Sequence, residues 1–231
     1  MKQKLTEPFA RLLGLLSLEV LALSAALLVC LLLFLLMTYL VFSARDSALD
    51  TSLFAFADRI ASPGMTRVMR FISFFASVEY LLVAPPLVVL VFSFYPRLRW
   101  FALKVLLISF STSILNQLMK RFFERPRPAF ALLEQSGMSF PSGHAMIGGA
   151  FYGLLIYIIW RTVHNNVWRL LLIVFLALLV LLIGLCRIYL KVHYATDVLA
   201  GYAMGFLWLL LSVTLLRRLE RAYFSGQKRP A

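Results

Sequence analysis

Apolar runs long enough to cross a bilayer alternate with short polar segments along most of the chain. Six such runs stand out, at roughly 16–42, 72–94, 101–119, 144–160, 170–190 and 198–216. A membrane-spanning helix needs about 20 mostly apolar residues. The fourth run is short and bears glycines, which leaves its start open by several residues. Between the first two, "LDTSLFAFADRI" (49–60) sets Leu49, Leu53, Phe56, Ala57 and Ile60 on one helical face, with Asp50 and Asp58 falling away from it. That pattern predicts a short amphipathic helix at the membrane interface, ended by Pro63-Gly64. The expected fold is all-α: one domain over 1–231, six transmembrane helices in a bundle, and an interfacial helix between spans one and two. No internal repeat is visible. The first run is longer than the roughly 7–15 apolar residues of a signal peptide and lacks a cleavage site, so it reads as an uncleaved anchor.

Composition supports the membrane reading. The chain is 62% hydrophobic and only 14% charged, whereas soluble domains run nearer half apolar and a quarter charged. Cys30 and Cys186 lie in separate apolar runs, which argues against a disulfide framework and a zinc site. The net charge of +13 does not come with cations and aromatics interleaved on a soluble basic face, so nucleic acid is not an expected partner. Membrane orientation and anionic lipid account for it more simply.

Sorting the cations by side gives a topology. One side collects Lys2, Lys4, Arg11, Arg97, Arg99, Lys104, Arg161, Arg169, Arg217, Arg218, Arg221, Lys228 and Arg229. The other holds Arg45, Arg59, Arg67, Arg70, Lys120, Arg121, Arg125, Arg127, Arg187 and Lys191, diluted by Asp46, Asp50, Asp58, Glu124, Glu134 and Asp197. The positive-inside tendency then puts both termini in the cytoplasm. Segments 43–71, 120–143 and 191–197 are expected to face outward together.

Three polar segments fall at span ends on that outward side: "KRFFERPRP" (120–128), "PSGH" (141–144) and "CRIYLKVHYATD" (186–197). Ionisable residues at membrane depth are candidates for function. Lys120, Arg127 and Arg187 would form a cationic cluster suited to phosphate. Ser142 and Gly143 precede the fourth span, where backbone N–H groups and the helix dipole favour an anion. His193 and Asp197 are four residues apart, so the carboxylate can orient one ring nitrogen and leave the other as nucleophile or base. His144 offers a second imidazole to protonate a leaving oxygen. Together these residues suit in-line phosphoryl transfer.

Each piece also has a plainer reading. RPRP can be an interfacial turn, PSGH a helix start capped by Ser142, and His193–Asp197 a structural pair. His164, in the opposite loop, reads as solvated. Arg121, Glu124 and Arg125 read as interfacial solvation before head-group contact. Glu79, Asn116 and Gln117 fit either bundle hydrogen bonds or substrate contacts. Gly149/Gly153 and Gly201/Gly205 have the spacing of close helix packing.

The order and spacing of the three segments resemble the type 2 phosphatidic acid phosphatase superfamily of integral-membrane lipid phosphatases, whose signature reads K-x6-RP, PSGH, SR-x5-H-x3-D. Lys120 plus six residues reaches Arg127-Pro128, PSGH is Pro141 to His144, and Arg187 plus five reaches His193, then Asp197. The resemblance implies a metal-independent phosphatase with no cofactor, a phosphohistidine on His193, and His144 as acid. Lys120, Arg127, Ser142, Gly143, His144 and Arg187 would cradle the phosphate. Cys186 replaces the serine of the signature, a weaker hydrogen-bond donor if that position touches phosphate.

The implied substrate is a membrane lipid phosphate or diphosphate at the outer face of a bacterial cytoplasmic membrane. An undecaprenyl diphosphate-like lipid comes first, then phosphatidylglycerophosphate or phosphatidate. A lipid phosphotransferase using the same site, or a non-catalytic lipid-phosphate binding or transport protein, are the alternatives. The family's vanadate haloperoxidases are soluble, which the apolar runs oppose.

Overall fold

The computed structural model describes residues 18–133 and 135–227. Lys2, Lys4, Arg11, Glu134, Lys228, Arg229 and the first two residues of the 16–42 run lie outside them. The described residues form eight α-helices: α1 Leu18–Phe42, α2 Ala48–Arg59, α3 Pro63–Phe74, α4 Val78–Ser93, α5 Arg99–Phe123, α6 Gly149–Thr162, α7 Asn166–Tyr189 and α8 Ala195–Gln227. A 3₁₀ turn, Pro96–Leu98, leads into α5, and a π-helical turn, His144–Gly148, leads into α6. Six segments are long and apolar enough to cross a membrane, α3 and α4 counting as one from Pro63 to Ser93. Large apolar side chains on their outer surfaces, such as Val29, Leu82 and Phe110, are exposed as lipid-facing residues should be.

Local chemistry sets several boundaries. Pro63-Gly64, expected to stop the interfacial helix, also opens the next one. Ser62 Oγ accepts from Met65 N at 3.2 Å, and Pro63 sits in the first turn, where its missing N–H costs nothing. The second span therefore starts near residue 63, earlier than 72, and is broken at 75–77 before Ser77 caps α4. Asn165 caps α7 by accepting from Val167 N and Trp168 N. α5 stops at Glu124, whose φ of 48° is left-handed, with its N–H on Lys120 O.

The interfacial helix departs from expectation in which face it buries. Asp50, Phe54 and Ala57 are buried, whereas Leu49, Phe56 and Ile60 are exposed. Asp50 turns inward because its partners are there: Thr196 N and Oγ1 and Arg125 Nη2 all donate to its carboxylate at 2.9–3.0 Å. The apolar residues on the other face are left for the bilayer.

α8 is the central element, touching α1, α6 and the π turn. Close approach requires Gly201 and Gly205: a Cβ there would meet Ser142 O at 2.7 Å and Met146 O at 2.5 Å. The 141–148 segment is thus pressed directly onto α8. On its other side a cluster of Phe34, Phe42, Phe123 and Phe140 ties this segment to α1 and α5, with ring centroids 4.9–6.1 Å apart. The Phe140–Pro141 peptide is cis. Phe42 and Ala195 lie at the same end of the bundle, so Leu18 and Gln227 both lie at the other.

Candidate active site

The α2 region and segments 124–143 and 191–197 converge at one end of the bundle, joined by Arg125, Asp50, Thr196 and Lys191–Asp58. Beneath them lies a cavity of about 780 Å³ lined by Lys120, Arg127, Gly143, His144 and His193, among others. Ser142, Arg187 and Asp197 stand directly behind this lining. All eight expected site residues are therefore brought together.

His193 is the focal group. It precedes α8 and is almost fully buried. Its Nδ1 lies 3.4 Å from Asp197 Oδ2 and 3.3 Å from Ser139 Oγ, and Ser139 Oγ in turn donates to the same carboxylate oxygen. Tyr194 N also donates to Asp197 Oδ2 at 3.0 Å. An acceptor-only carboxylate facing Nδ1 selects the tautomer with hydrogen on Nδ1 and a lone pair on Nε2. That Nε2 faces Arg127 Nη1 at 3.3 Å. Burial pushes the His193 ring down to about 4, against the upward pull of Asp197, so the imidazole is neutral at physiological pH.

The cations around Nε2 rest on neutral acceptors. Arg127 donates to Gly137 O at 3.0 Å and Val192 O at 2.8 Å, and Lys120 Nζ donates to Met138 O at 2.8 Å. Arg187, buried at the end of α7, donates to Ser73 Oγ at 2.8 Å. Gln135 Oε1 accepts from both Arg127 Nη1 at 3.2 Å and Arg187 Nη2 at 2.5 Å. Burial also lowers the Arg127 guanidinium from its ordinary value, with Asp197 opposing, but arginine stays charged throughout the working range. Two buried donors, Ser142 Oγ and Arg187 Nε, have no partner. An uncommitted hydroxyl and guanidinium nitrogen beside three cations suit a tetrahedral oxyanion.

The 141–144 segment differs from expectation in one respect. Ser142 N–H is already committed to Asp197 O at 3.0 Å, so backbone donors for an anion begin at Gly143. Ser142 contributes its hydroxyl instead. Asn116 is buried and donates to Pro141 O and Met146 Sδ, holding this segment to α5. Gln117 lines the cavity, Glu79 is exposed beside the α4 cap, and His164 is exposed at the other end.

Arg125 also departs from expectation. It is not solvated at the interface. Its guanidinium binds Asp197, Thr196 and Asp50 and stacks 3.9 Å from the centre of the Tyr194 ring. Periodicity alone did not point to Asp50, Arg125, Gln135 or Ser139. For Asp50 the one hint was its place, with Asp58, on the polar side of a short amphipathic helix. Cys186 is fully buried with Sγ 3.3 Å from Met69 Sδ and does not line the cavity. Among the described residues, no group of three His, Cys, Asp or Glu side chains is placed to hold a metal ion.

Residues 101–221 match the family described as the PAP2 superfamily. A 152-residue stretch is 33% identical to phosphatidylglycerophosphatase B of Bacillus subtilis, covering 64% of this chain and 73% of that protein. The crystal structure of a transmembrane PAP2-type phosphatidylglycerolphosphate phosphatase from Bacillus subtilis superposes with a TM-score of 0.76 at 27% identity, covering 83% of this chain and 96% of that one. The crystal structure of Aquifex aeolicus LpxE shares the fold, with a TM-score of 0.59 at 24% identity over 73% of this chain and 97% of its own.

Proposed function

The chain belongs to the PAP2 superfamily, and from that premise we propose that it removes phosphate from a membrane lipid without a metal, through a phosphohistidine on His193. The observation that carries this reading is the His193 ring itself: neutral, its Nδ1 held by Asp197 and Ser139, its Nε2 lone pair turned into a cationic cavity. When a lipid phosphate enters, its oxygens replace Gln135 and the backbone carbonyls as acceptors for Arg127, Arg187 and Lys120. Ser142 Oγ and the Gly143 amide complete the cradle. Nε2 attacks phosphorus, the bond to the lipid oxygen breaks, and His144 delivers its proton to that oxygen. The positive charge gathering on His193 is balanced by Asp197. His144 then takes a proton from water, which attacks the phosphohistidine, and inorganic phosphate leaves. The cations carry the charge of the transferring group, as electrostatic catalysis requires.

Lipid access is read from the cavity wall. Val78 and Leu82 of α4 line it and are also widely exposed to the bilayer, so an acyl or prenyl chain can remain in lipid while the phosphate reaches the cations. Phosphatidylglycerophosphate is proposed as the first candidate substrate, ahead of the undecaprenyl diphosphate-like lipid and phosphatidate, and the names of the relatives support that order. The cavity end is taken as outward, with both termini cytoplasmic. The positive-inside tendency and the shared end of Leu18 and Gln227 support this orientation.

The test is phosphate release from detergent-solubilised protein across phosphatidylglycerophosphate, phosphatidate and prenyl diphosphates, with and without EDTA. His193→Ala should abolish release on every substrate, and EDTA should leave the wild type active. Near-normal release from His193→Ala would remove it as nucleophile.

A further inference from the structure

The end of the bundle opposite the candidate active site carries a second cationic pocket. It holds about 450 Å³ between the start of α5, the end of α6 and the end of α8, and is lined by Lys104, Arg161, Arg217 and Arg221 with one acid, Glu220. Lys104 is almost fully buried, and its Nζ donates to Glu220 Oε2 at 2.6 Å. That pair is neutral as a unit. Three arginines from two helices are left to set the charge of the pocket.

Beside it runs a mostly apolar crevice of about 580 Å³, lined by Ile156, Leu170, Ile173, Leu209 and Leu210, with the Arg169 guanidinium stacked 4.6 Å from the centre of the Trp160 ring in its wall. Tyr157 lines both spaces, so the charged pocket and the apolar crevice lie side by side with this ring between them. Trp100 packs against Tyr223 and Phe224 beside the pocket, at ring separations of 5.6 and 6.1 Å. Aromatics in such clusters settle at head-group depth. Lys104 and Lys120 share α5, so at 1.5 Å per residue the two cationic sites stand about 24 Å apart and do not overlap.

We propose that this paired pocket and crevice bind an anionic glycerophospholipid of the leaflet opposite the candidate active site, its phosphate among Arg161, Arg217 and Arg221 and one acyl chain along the crevice beyond Tyr157. A free anion would use only the arginines. A zwitterionic lipid would bring its own cation into a pocket that already has an excess of them. An anionic lipid satisfies both halves, as basic pockets between transmembrane helices generally do.

Native mass spectrometry of the delipidated full chain tests this, with dioleoyl phosphatidylglycerol and dioleoyl phosphatidylcholine as probes. Phosphatidylglycerol should be retained in preference to phosphatidylcholine, also in a Lys120→Gln/Arg127→Gln background that silences the candidate active site. The variant Arg161→Gln/Arg217→Gln/Arg221→Gln should weaken retention roughly 100-fold, at about fivefold per arginine near a membrane surface. It should still hydrolyse a water-soluble aryl phosphate at the wild-type rate, which shows that it folds. Ile173→Trp, which fills the crevice and leaves the three arginines of the pocket in place, should also weaken retention. Equal retention of the two lipids, displacement by inorganic phosphate alone, loss in the Lys120/Arg127 background, or unchanged affinity in both the arginine and Ile173 variants would each overturn the proposal. Because the readout is bound lipid, it stands apart from whether the proposed hydrolysis is correct.

Discussion

Arg125 Nη1 sits 2.5 Å from Asp197 Oδ1, and its Nη2 sits 3.0 Å from Asp50 Oδ2. One guanidinium therefore ties the carboxylate behind His193 to the interfacial helix. Thr196 strengthens the link, giving its N–H and hydroxyl to Asp50 at 2.9 Å each.

Removing that cation strands two buried carboxylates. Arg125→Gln should cost about 3–5 kcal/mol of stability, the usual penalty for breaking a buried pair from one side. It should also lower kcat, because Asp197 loses the partner that holds its second oxygen. Arg125→Lys should rescue only part, since an ammonium lacks the planar fork that reaches both acids. Melting temperature and kcat measured together check this. A lowered melting temperature with unchanged kcat would make the residue purely structural.

Acid should affect His193 late. Its folded value of about 4 lies below the ordinary 6.5, and neutral imidazole is the attacking form in the proposed mechanism. Phosphohistidine formation should persist as pH falls through 6.5 and be lost only as it falls through about 4. Stability has the same sign: the unfolded chain takes up the proton first. This contribution is complete above 6.5 and declines as pH falls toward about 4. Rapid-quench measurement of the phosphoenzyme across pH, beside thermal melts, tests both. An acid limb centred at 6.5 would contradict a burial-depressed nucleophile.

Gln135 Oε1 is the acceptor that Arg127 and Arg187 share. In the proposed reaction a substrate phosphate displaces it. Gln135→Ala should lower KM roughly tenfold with little change in kcat, since a hydrogen bond to a charged group is worth about 1.5–3 kcal/mol. Steady-state kinetics on a lipid phosphate decide the matter. A raised KM would mean that Gln135 contacts the substrate.

Cys186 stands where the family signature has serine, yet its thiol faces Met69 and not the cavity. Cys186→Ser should leave kcat and KM near wild type. It should cost about 1 kcal/mol of stability, because a buried hydroxyl against a thioether has a poor partner. A large rise in KM would place this side chain on the phosphate.

The spans were legible because apolar length is a direct demand of the bilayer, and the residues gathered at the cavity because their spacing is dense and ordered. The support around them was not. Asp50 meets its counter-ion 75 residues away, and a helical-face reading sends an acid toward water unless that distant partner is known. Ser139 and Gln135 sit in loops with no periodicity to mark them. The same limit applies to Ser142, whose backbone N–H fitted an anion until the fold brought Asp197 O beside it.

The single helix from Ala195 to Gln227 makes membrane thickness a variable of the chemistry. Asp197 stands in its first turn, and Arg217 and Arg218 interrupt it 20 residues later. The apolar length between them is about 28 Å at 1.5 Å per residue, close to a hydrocarbon core. With arginines held in one head-group layer, the helix acts as a ruler that sets the depth of His193 in the other. A thicker or thinner bilayer must tilt the helix or deform locally, so the depth at which a lipid phosphate is met is written into the length of α8.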